Sequence, residues 1–567
     1  MAYVLVASMS IGCHGARVSP LGVLALAVVL VSCAPAAEPA SRAADPAPPT
    51  HGASVTDDSG SSTGPADAGA AIDAGPPWRS TETVDVVVRG GAVIDGSGRP
   101  PWKADVAIAG GVIAHVGAID PAVAAERVID ATGMVVTPGF IDAHAHGDAL
   151  GDNENFAAMG VTTLCVGQDG RSPSDERLRD WASRVRAGRP VLNVAPFIGH
   201  ATVRLRSGVG LASEVRPEQL SQMARIVAEG MDDGAFGLST GLEYQPGRSA
   251  KLAELVAVAR PVGERGGLVM SHLRSEDDDT IDAALDELFA QGLGAHARVH
   301  VAHIKVVYGR GAERADKLLT RMAEARARGL SVTADWYPYT ASYTGIDIVF
   351  PDWAKPPNDY RSVVAKRRPE LRDFLRRRIA QRNGAEATLF GTAPWTGKTL
   401  ARAAKDLNKP FEDVLIDDIG PNGASAAYFV MDDALQTRLA LDAQVMICSD
   451  GSSGSRHPRG YGTFARVLRE MVMERKTLSL EEAVRKMSGL PAATLGLDRQ
   501  RRGLLRAGWA ADVLVFDPAR VRDTATYESP NRLAQGFDWV MVNGVLIRER
   551  GKPTRARTGQ VLSSRTK

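Results

Sequence analysis

The central part of this 567-residue chain alternates short apolar strands with segments of helical periodicity, and this alternation limits the possible folds more than any other feature. Strand-like runs occupy residues 161–164, 267–270 and 299–304, and segments such as 220–229 carry apolar residues at helical spacing. Repeated β/α units of this length predict a parallel sheet, whose commonest closed form is a barrel. The order of the elements does not by itself distinguish a barrel from an open sheet.

The two ends of the chain differ in texture from its centre. β-Branched runs alternate with glycine turns over residues 81–138, and the same pattern returns over residues 501–562. We therefore predict that both ends build one small β-domain and that residues 139–500 are inserted between them. Within that central part, the segment from about residue 351 to residue 433 departs from the alternation of strands and helices and is rich in arginine. This departure predicts an inserted subdomain or lid.

Residues 1–33 have the features of an export signal. Arg17 precedes an apolar run at residues 21–31, which is too short to span a bilayer and has the length of a signal-peptide core. The run leads into Leu-Val-Ser-Cys, which resembles a bacterial lipobox, so Cys33 would carry a lipid; an ordinary cleaved signal is the alternative. Residues 34–80 are rich in Ala, Pro, Ser, Asp and Gly and predict a disordered tether. We therefore expect an exported lipoprotein anchored at the cell envelope.

The charge balance of the chain limits its partners. Its formal net charge is only +1, from 67 Lys and Arg against 66 Asp and Glu. This balance gives no electrostatic basis for binding nucleic acid or an anionic membrane surface, so membrane contact is expected only through the lipid on Cys33. The four cysteines are too few for a disulfide framework, and Cys165 fits a small buried apolar residue better than a ligand.

Histidines and carboxylates recur where the predicted strands end. His144 and His146 share one face, because alternate residues of a strand point the same way. Any one of these polar residues is more often structural than a ligand. Burying so many unpaired polar groups at one topological position would be costly, so we expect a shared divalent metal, for which zinc best suits imidazole and carboxylate ligands. The candidates are His144, His146, Asp169, His272, His303 and Asp450.

Several motifs resemble those of a known family. The run from Gly139 to His146 is similar to the first metal motif of the amidohydrolase superfamily, and residues 236–247 are similar to a signature of the D-aminoacylases, the N-acyl-D-amino-acid deacylases. Shorter matches follow in order at residues 271–276, 302–305, 337–341, 449–451 and 457–464. The resemblance implies a (β/α)8 TIM-like barrel that carries the site and a small β-sandwich domain formed from both chain ends.

The resemblance also implies a ligand set, with one departure from it. One or two divalent ions, expected to be Zn²⁺, would be bound by His144, His146, His272, His303 and Asp450. Family members of the best-known type carry a metal-binding cysteine in a Gly-Asn-Cys-Gly turn, whereas this chain reads Gly-Gln-Asp-Gly at residues 167–170. Asp169 thus replaces a thiolate by a carboxylate, which remains a competent zinc ligand and makes the site harder.

The family implies roles for further residues. Asp450 would take a proton from water and pass it to the leaving amine, with a purely metal-binding role as the alternative. Residues of the family motifs hold the α-carboxylate of the substrate, which an arginine fork suits geometrically. The substrate-binding candidates are Tyr244, Lys305, Arg459 and, with a scaffold role as the alternative, Arg274 and Tyr339.

The expected reaction is metal-dependent hydrolysis of an N-acyl-D-amino acid to a carboxylate and a free D-amino acid. Two alternatives stay open from the sequence. One is a dipeptidase or another amidohydrolase acting on D-residue-containing peptides, and the other is a surface-tethered binding protein that has lost catalysis. The replacement at Asp169 supports the binding protein, whereas Asp450 and the four candidate histidines oppose it.

Overall fold

Eight short parallel strands in the centre of the chain are almost wholly buried, which explains why apolar residues are frequent in them. The computed structural model, which describes residues 76–565, arranges them as a barrel. The barrel strands are Phe140–Asp142, Val161–Val166, Asn193–Pro196 continued by Ile198–Gly199, Gly237–Gly241, Leu268–His272, Arg298–Val301, Val332–Trp336 and Val445–Ile447.

Parallel pairing runs from each barrel strand to the next around the circle. The eighth strand returns to the first through a parallel bridge between Ala145 and Gly451. In the interior, Cys165 packs with Ile141 and Ala143 in an apolar cluster, as expected for a small buried residue. The predicted (β/α)8 barrel is confirmed.

Helices outside the barrel bury one face against the strands. In the helix Pro217–Asp232, Pro217 occupies the first turn, and Met223, Val227 and Met231 are buried at helical spacing. None of the helices within residues 76–565 combines the length and apolar character that a membrane crossing requires. The helices of this layer are Glu154–Ala157, Leu178–Gly188, His200–Arg206, Pro217–Asp232, Leu252–Glu264, Ile281–Ala295, Ala312–Ala327, Asp433–Ala440, Arg459–Arg466, Leu480–Met487 and Gly489–Leu495.

A nine-stranded sheet joins the two ends of the chain. Val513–Phe516 pairs antiparallel with Val135–Pro138, the strand that leads into the barrel. Val88 from the N-terminal part and Val515 from the C-terminal part lie in the same buried apolar cluster. The strands of this sheet are Val84–Val93, Trp102–Ala109, Val112–Gly117, Ala125–Asp130, Val135–Pro138, Val513–Phe516, Trp539–Val542, Val545–Glu549 and Lys552–Pro553.

The chain contacts this sheet earlier than predicted. Trp78 forms a parallel bridge with Ile119, and its ring stacks on that of His115 with 5.4 Å between centroids. A large aromatic side chain can bury area that the surrounding small residues cannot, so the tether predicted for residues 34–80 ends before its predicted boundary. The signal predicted at residues 1–33, with Cys33, and the tether before residue 76 lie outside the described residues.

A subdomain is inserted between the seventh and eighth barrel strands, and it begins ahead of the predicted start at residue 351. Its first strand, Ala341–Gly345, pairs antiparallel with Ser425–Phe429, a partner too distant in sequence to be recognised from the pattern. Phe350, Leu371 and Leu375 belong to its own buried core. Its remaining strand is Thr388–Phe390, and its α-helices are Tyr360–Gln381, Leu400–Leu407 and Phe411–Asp413.

Lys486 ties the helix Leu480–Met487 to the eighth barrel strand. Its buried ammonium donates hydrogen bonds to the backbone carbonyls of Asp442 and Val445, the latter at 2.8 Å. Burial lowers the pKa of Lys486 from 10.5 to about 8, and the nearby Glu482 offsets only part of this effect. The native protein therefore releases this proton at a lower pH than the unfolded chain does.

We expect the free energy of unfolding of the wild type, relative to that of a Lys486→Met variant, to rise as the pH increases from 8 to 10.5. In this window the unfolded chain still binds the Lys486 proton while the native state has lost it, and the full effect is about 3 kcal/mol. Urea unfolding at pH 7.5 and at pH 10 measures it. An equal change of stability with pH in both proteins would contradict the expectation.

Candidate metal centre

Asp169, His303 and Asp450 have left-handed backbone conformations just after the ends of barrel strands. Their φ angles are 52°, 36° and 47°. Such angles are uncommon for residues that carry a Cβ, and they persist where the surrounding structure holds them in place. Three residues with such backbone angles at the carboxyl ends of barrel strands indicate that the functional site lies at this end of the barrel.

Four side chains from the first, second and eighth strand ends meet there. Nε2 of His146 lies 3.3 Å from Oδ2 of Asp169 and 3.1 Å from Oδ1 of Asp450. Nε2 of His144 lies 3.3 Å from Oδ1 of Asp169 and 3.7 Å from Oδ1 of Asp450. The backbone N–H of Asp450 donates to the carbonyl of His144 at 2.9 Å, which holds the first and eighth strand ends together.

His272 and His303, from the fifth and sixth strand ends, complete the cluster. Nδ1 of His272 lies 2.9 Å from Nε2 of His303. The same two atoms lie 3.8 and 3.6 Å, respectively, from Oδ1 of Asp169. Asp169 is therefore in close contact with all four histidines.

Two glutamates contact these imidazoles on their other ring nitrogens. Oε2 of Glu243 lies 3.1 Å from Nε2 of His272. Nδ1 of His303 lies 2.7 Å from Nζ of Lys305 and 3.1 Å from Oε1 of Glu276. A carboxylate behind a metal-binding imidazole fixes the ring orientation and raises the basicity of the opposite nitrogen. Since these contacts occupy Nε2 of His272 and Nδ1 of His303, the opposite nitrogens of the two rings face each other and Asp169.

The donor atoms are arranged like ligands of a cation. Within the part of the chain that the structure describes, neither ring nitrogen of buried His144 has a hydrogen-bond partner, nor does Oδ1 of Asp169. Buried polar atoms without partners are costly, so their clustering calls for a common partner. Ligand atoms of His144, Asp169, His303 and Asp450 all lie within 4.8 Å of one another. Imidazole nitrogens and carboxylate oxygens at this separation fit a divalent ion such as zinc.

Arg459 and Lys305 place positive charge beside the cluster. Nη1 of Arg459 lies 2.7 Å from Oδ2 of Asp450, and Nζ of Lys305 donates to Oε1 of Glu276 at 2.6 Å. Burial raises the pKa of Asp450, but Arg459 and then His303 lower it by more, so this pKa lies well below its ordinary range. Asp450 is therefore ionised at neutral pH, with Oδ1 facing the histidines and Oδ2 facing Arg459.

A cavity of about 850 Å³ adjoins the cluster and is lined by Arg459, Lys305 and Tyr244. The ring centroid of Tyr244 lies 4.6 Å from that of His272, and its hydroxyl accepts a hydrogen bond from Thr344 at 3.1 Å. A small molecule that carries a carboxylate would meet two cations in this cavity within reach of the histidine cluster.

Comparison with known proteins places the chain in a family. The model of the amidohydrolase family matches residues 127–332 and 371–548, which make up more than half of the chain. The chain belongs to the amidohydrolase family. The family resemblance inferred from the motifs is thereby confirmed.

Curated relatives of this amidohydrolase match it over most of its length. It is 34% identical over 507 residues to N-acyl-D-glutamate deacylase from Alcaligenes xylosoxydans xylosoxydans, with 85% of this chain and 97% of the relative covered. It is 33% identical over 520 residues to D-aminoacylase from the same organism, with 85% and 98% covered. The match therefore extends beyond the barrel to nearly the whole length of both relatives.

A solved structure shares the fold. The crystal structure of N-acyl-D-glutamate deacylase from Bordetella bronchiseptica, complexed with zinc and a phosphonate inhibitor that mimics the tetrahedral intermediate, aligns with a TM-score of 0.75 at 31% identity. The alignment covers 85% of this amidohydrolase and 100% of that chain.

Two of the sequence-predicted substrate-binding residues do not join the site of the amidohydrolase. Nε and Nη2 of Arg274 bond the carboxylate of Glu287 at 2.8 and 2.9 Å, and its remaining donors reach two backbone carbonyls at 2.8 Å. The hydroxyl of Tyr339 lies 3.4 Å from the carbonyl oxygen of Pro458. Since their polar groups are directed at neighbouring loops, these contacts favour the scaffold role, the alternative that the sequence left open for Arg274 and Tyr339.

Sequence reasoning gave no role to Glu243 and Glu276, although both lie inside motifs that it used. Glu276 comes four residues after His272, and Glu243 comes two residues after the fourth barrel strand. For Glu276, the available signal was a carboxylate shortly after a candidate histidine ligand, whereas Glu243 offered only its position just beyond a strand end.

Proposed function

We propose that this amidohydrolase hydrolyses the amide bond of N-acyl-D-amino acids and releases a carboxylate and a free D-amino acid. The observation that carries the proposal is the meeting of four histidines and two aspartates beside a cavity that Arg459 and Lys305 line. The names of the relatives, N-acyl-D-glutamate deacylase and D-aminoacylase, support the choice of substrate class.

The donor set defines which residues would hold the metal. Zinc, which the Bordetella bronchiseptica relative binds, fits a set of four imidazoles and two carboxylates. When bound, such an ion supplies Lewis acidity that polarises the amide carbonyl and acidifies water. The residues that would hold one or two ions are His144, His146, Asp169, His272, His303 and Asp450.

Asp450 is the group that moves the proton. Its ionised carboxylate takes a proton from the attacking water as the new C–O bond forms. Asp450 then delivers this proton to the amide nitrogen as the C–N bond breaks, so the amine leaves without becoming an unstable anion. The contact with Arg459 at 2.7 Å orients the carboxylate and keeps it ionised between turnovers.

Arg459, Lys305 and Tyr244 position the substrate. Both cations line the cavity, and Nε of Arg459 has no hydrogen-bond partner among residues 76–565, so a donor remains for the α-carboxylate of the substrate. Half-buried Tyr244 packs against His272, with its hydroxyl held by Thr344, and it limits where the rest of the substrate can lie.

A stereochemical panel tests the proposal. The zinc-loaded protein is assayed with N-acetyl-D-leucine, N-acetyl-D-glutamine and their L enantiomers, and with dipeptides that contain a D residue. We expect kcat/KM for the D enantiomers to exceed that for the L enantiomers by about 100-fold or more. An L enantiomer bound in the same site would hold its amide bond away from the catalytic groups, and such misplacement is costly to the rate. Faster cleavage of the dipeptides would indicate a dipeptidase, and binding without turnover of any substrate would indicate a binding protein.

We also propose that the enzyme is exported and held at the cell envelope by a lipid on Cys33. The apolar run at residues 21–31 and the Leu-Val-Ser-Cys sequence that follows support this location. The full chain is expected in the membrane fraction of a bacterial host and a Cys33→Ala variant outside it. Equal partition of the two proteins would contradict the proposal.

A further inference from the structure

Arg382 is a buried cation in the wall of the same cavity with unused hydrogen-bonding capacity. It follows the helix Tyr360–Gln381 of the inserted subdomain, and only 1% of its surface is exposed. Within the described chain, Nε and Nη2 of Arg382 have no hydrogen-bond partner. Its Nη1 reaches Oδ1 of Asp277 at 3.4 Å, and its guanidinium carbon lies 5.1 Å from the ring centroid of Tyr428.

The carboxylate that contacts Arg382 is shared with a second guanidinium group. Asp277 is also bonded by Arg378, whose Nη1 lies 2.5 Å from Oδ2 of Asp277. One carboxylate thus serves two guanidinium groups, and the shorter contact belongs to Arg378. A guanidinium stays charged even when it is buried, and a buried charge without full compensation is costly. The position of Arg382 therefore favours an additional anion from outside the chain.

Two carboxylates that are adjacent in sequence contact Arg382 and Lys305. Asp277, which contacts Arg382, is the neighbour in sequence of Glu276, which bonds Lys305 at 2.6 Å. Lys305 and Arg382 are thus held by adjacent carboxylates, and both line the cavity. A substrate whose first carboxylate is held at Lys305 and Arg459 would have a second anionic group within the same cavity as Arg382.

From this geometry we infer that Arg382 is a specificity-determining residue that binds a second carboxylate of the substrate. The inference rests on the proposed function and narrows its substrate to N-acyl-D-amino acids with two carboxylates. The second carboxylate belongs either to the amino-acid side chain, as in N-acyl-D-glutamate, or to the acyl group, as in an N-succinyl-D-amino acid.

Two pairs of substrates, of which the first is isosteric, test the inference on the zinc-loaded full-length protein. N-acetyl-D-glutamate is compared with N-acetyl-D-glutamine for the side chain, and N-succinyl-D-glutamine with N-acetyl-D-glutamine for the acyl group. We expect the wild type to prefer the dicarboxylate in at least one pair. In Arg382→Met, kcat/KM for that dicarboxylate should fall by about 100-fold, chiefly through KM, whereas N-acetyl-D-glutamine should stay within about 3-fold of the wild type.

Two further variants separate recognition from folding. Arg382→Lys keeps the charge and is expected to retain part of the preference. Arg378→Met removes the other cation that contacts Asp277. It is expected to leave the preference for the dicarboxylate intact, because Arg378 is already paired with Asp277. Thermal unfolding of each variant checks that it is folded.

The outcomes are distinguishable. If the wild type hydrolyses N-acetyl-D-glutamine but prefers no dicarboxylate in either pair, the inference about Arg382 is wrong while the proposed function stands. Equal losses on both members of a pair in Arg382→Met would likewise overturn the inference, because they indicate a structural role. If no N-acyl-D-amino acid is hydrolysed at all, the proposed function fails and the inference falls with it.

Discussion

Asp450→Asn is expected to lower kcat by about 10²- to 10⁴-fold while the protein keeps its metal. The amide is nearly isosteric with the carboxylate and retains an oxygen that can face His146, but it cannot accept a proton from water. The native carboxylate can do so at neutral pH, because Arg459 lies 2.7 Å from it and lowers its pKa. Turnover of N-acetyl-D-leucine and elemental analysis of the same preparation measure the two effects together.

Asp148 provides a matched control for this variant. Its carboxylate lines the same cavity, but it is exposed and its Oδ1 accepts the backbone N–H of Leu150 at 2.9 Å. Asp148→Asn is expected to stay within about 3-fold of the wild type, as surface substitutions usually do. If metal-loaded Asp450→Asn also turned over within a few-fold of the wild type, Asp450 would be a ligand without a role in proton transfer.

Asp169→Ala is expected to have the second large effect, a loss of metal. Asp169 approaches all four histidines, with distances from 3.3 to 3.8 Å, so its removal weakens the cluster on every side. Partners one step removed from a metal change its affinity by about 10- to 100-fold, and a direct ligand is expected to exceed that range. Equilibrium dialysis against a zinc buffer, read by elemental analysis, gives the change in affinity.

Asp169→Cys is the matched counterpart of that variant. It restores a thiolate, which binds zinc through sulfur at about 2.3 Å and prefers softer ions than a carboxylate does. We expect this variant to bind zinc at least as tightly as the wild type and to show a lower relative affinity for Mn²⁺. Unchanged zinc binding in Asp169→Ala would contradict the ligand role, whatever the behaviour of Asp169→Cys.

The barrel and the metal cluster follow from local sequence features. Strands such as Val161–Val166 carry an apolar or β-branched residue at every position, and this pattern indicates a strand buried on both faces. The candidate ligands each stand just beyond such a run, and parallel strands bring their carboxyl ends to one edge. His303 and Asp450 could therefore be placed together although they are far apart in sequence.

The parts that the sequence could not predict depend on contacts between distant loops. The position of Arg274 beside a histidine suggested a substrate contact, but the side chain reaches Glu287 on the following helix instead. Arg382 has no motif around it, and its place in the cavity wall depends on how the inserted subdomain packs. Side chains whose partners come from such packing leave no periodic signal in the sequence.

The most direct test of the account is a zinc titration of the chelator-stripped protein during hydrolysis of an N-acetyl-D-amino acid. We expect negligible turnover before zinc is added, a rise in proportion to bound zinc that ends at one or two ions per chain, and no comparable rise with the L enantiomer. Turnover at the full rate by protein that elemental analysis shows to be free of metal would contradict it.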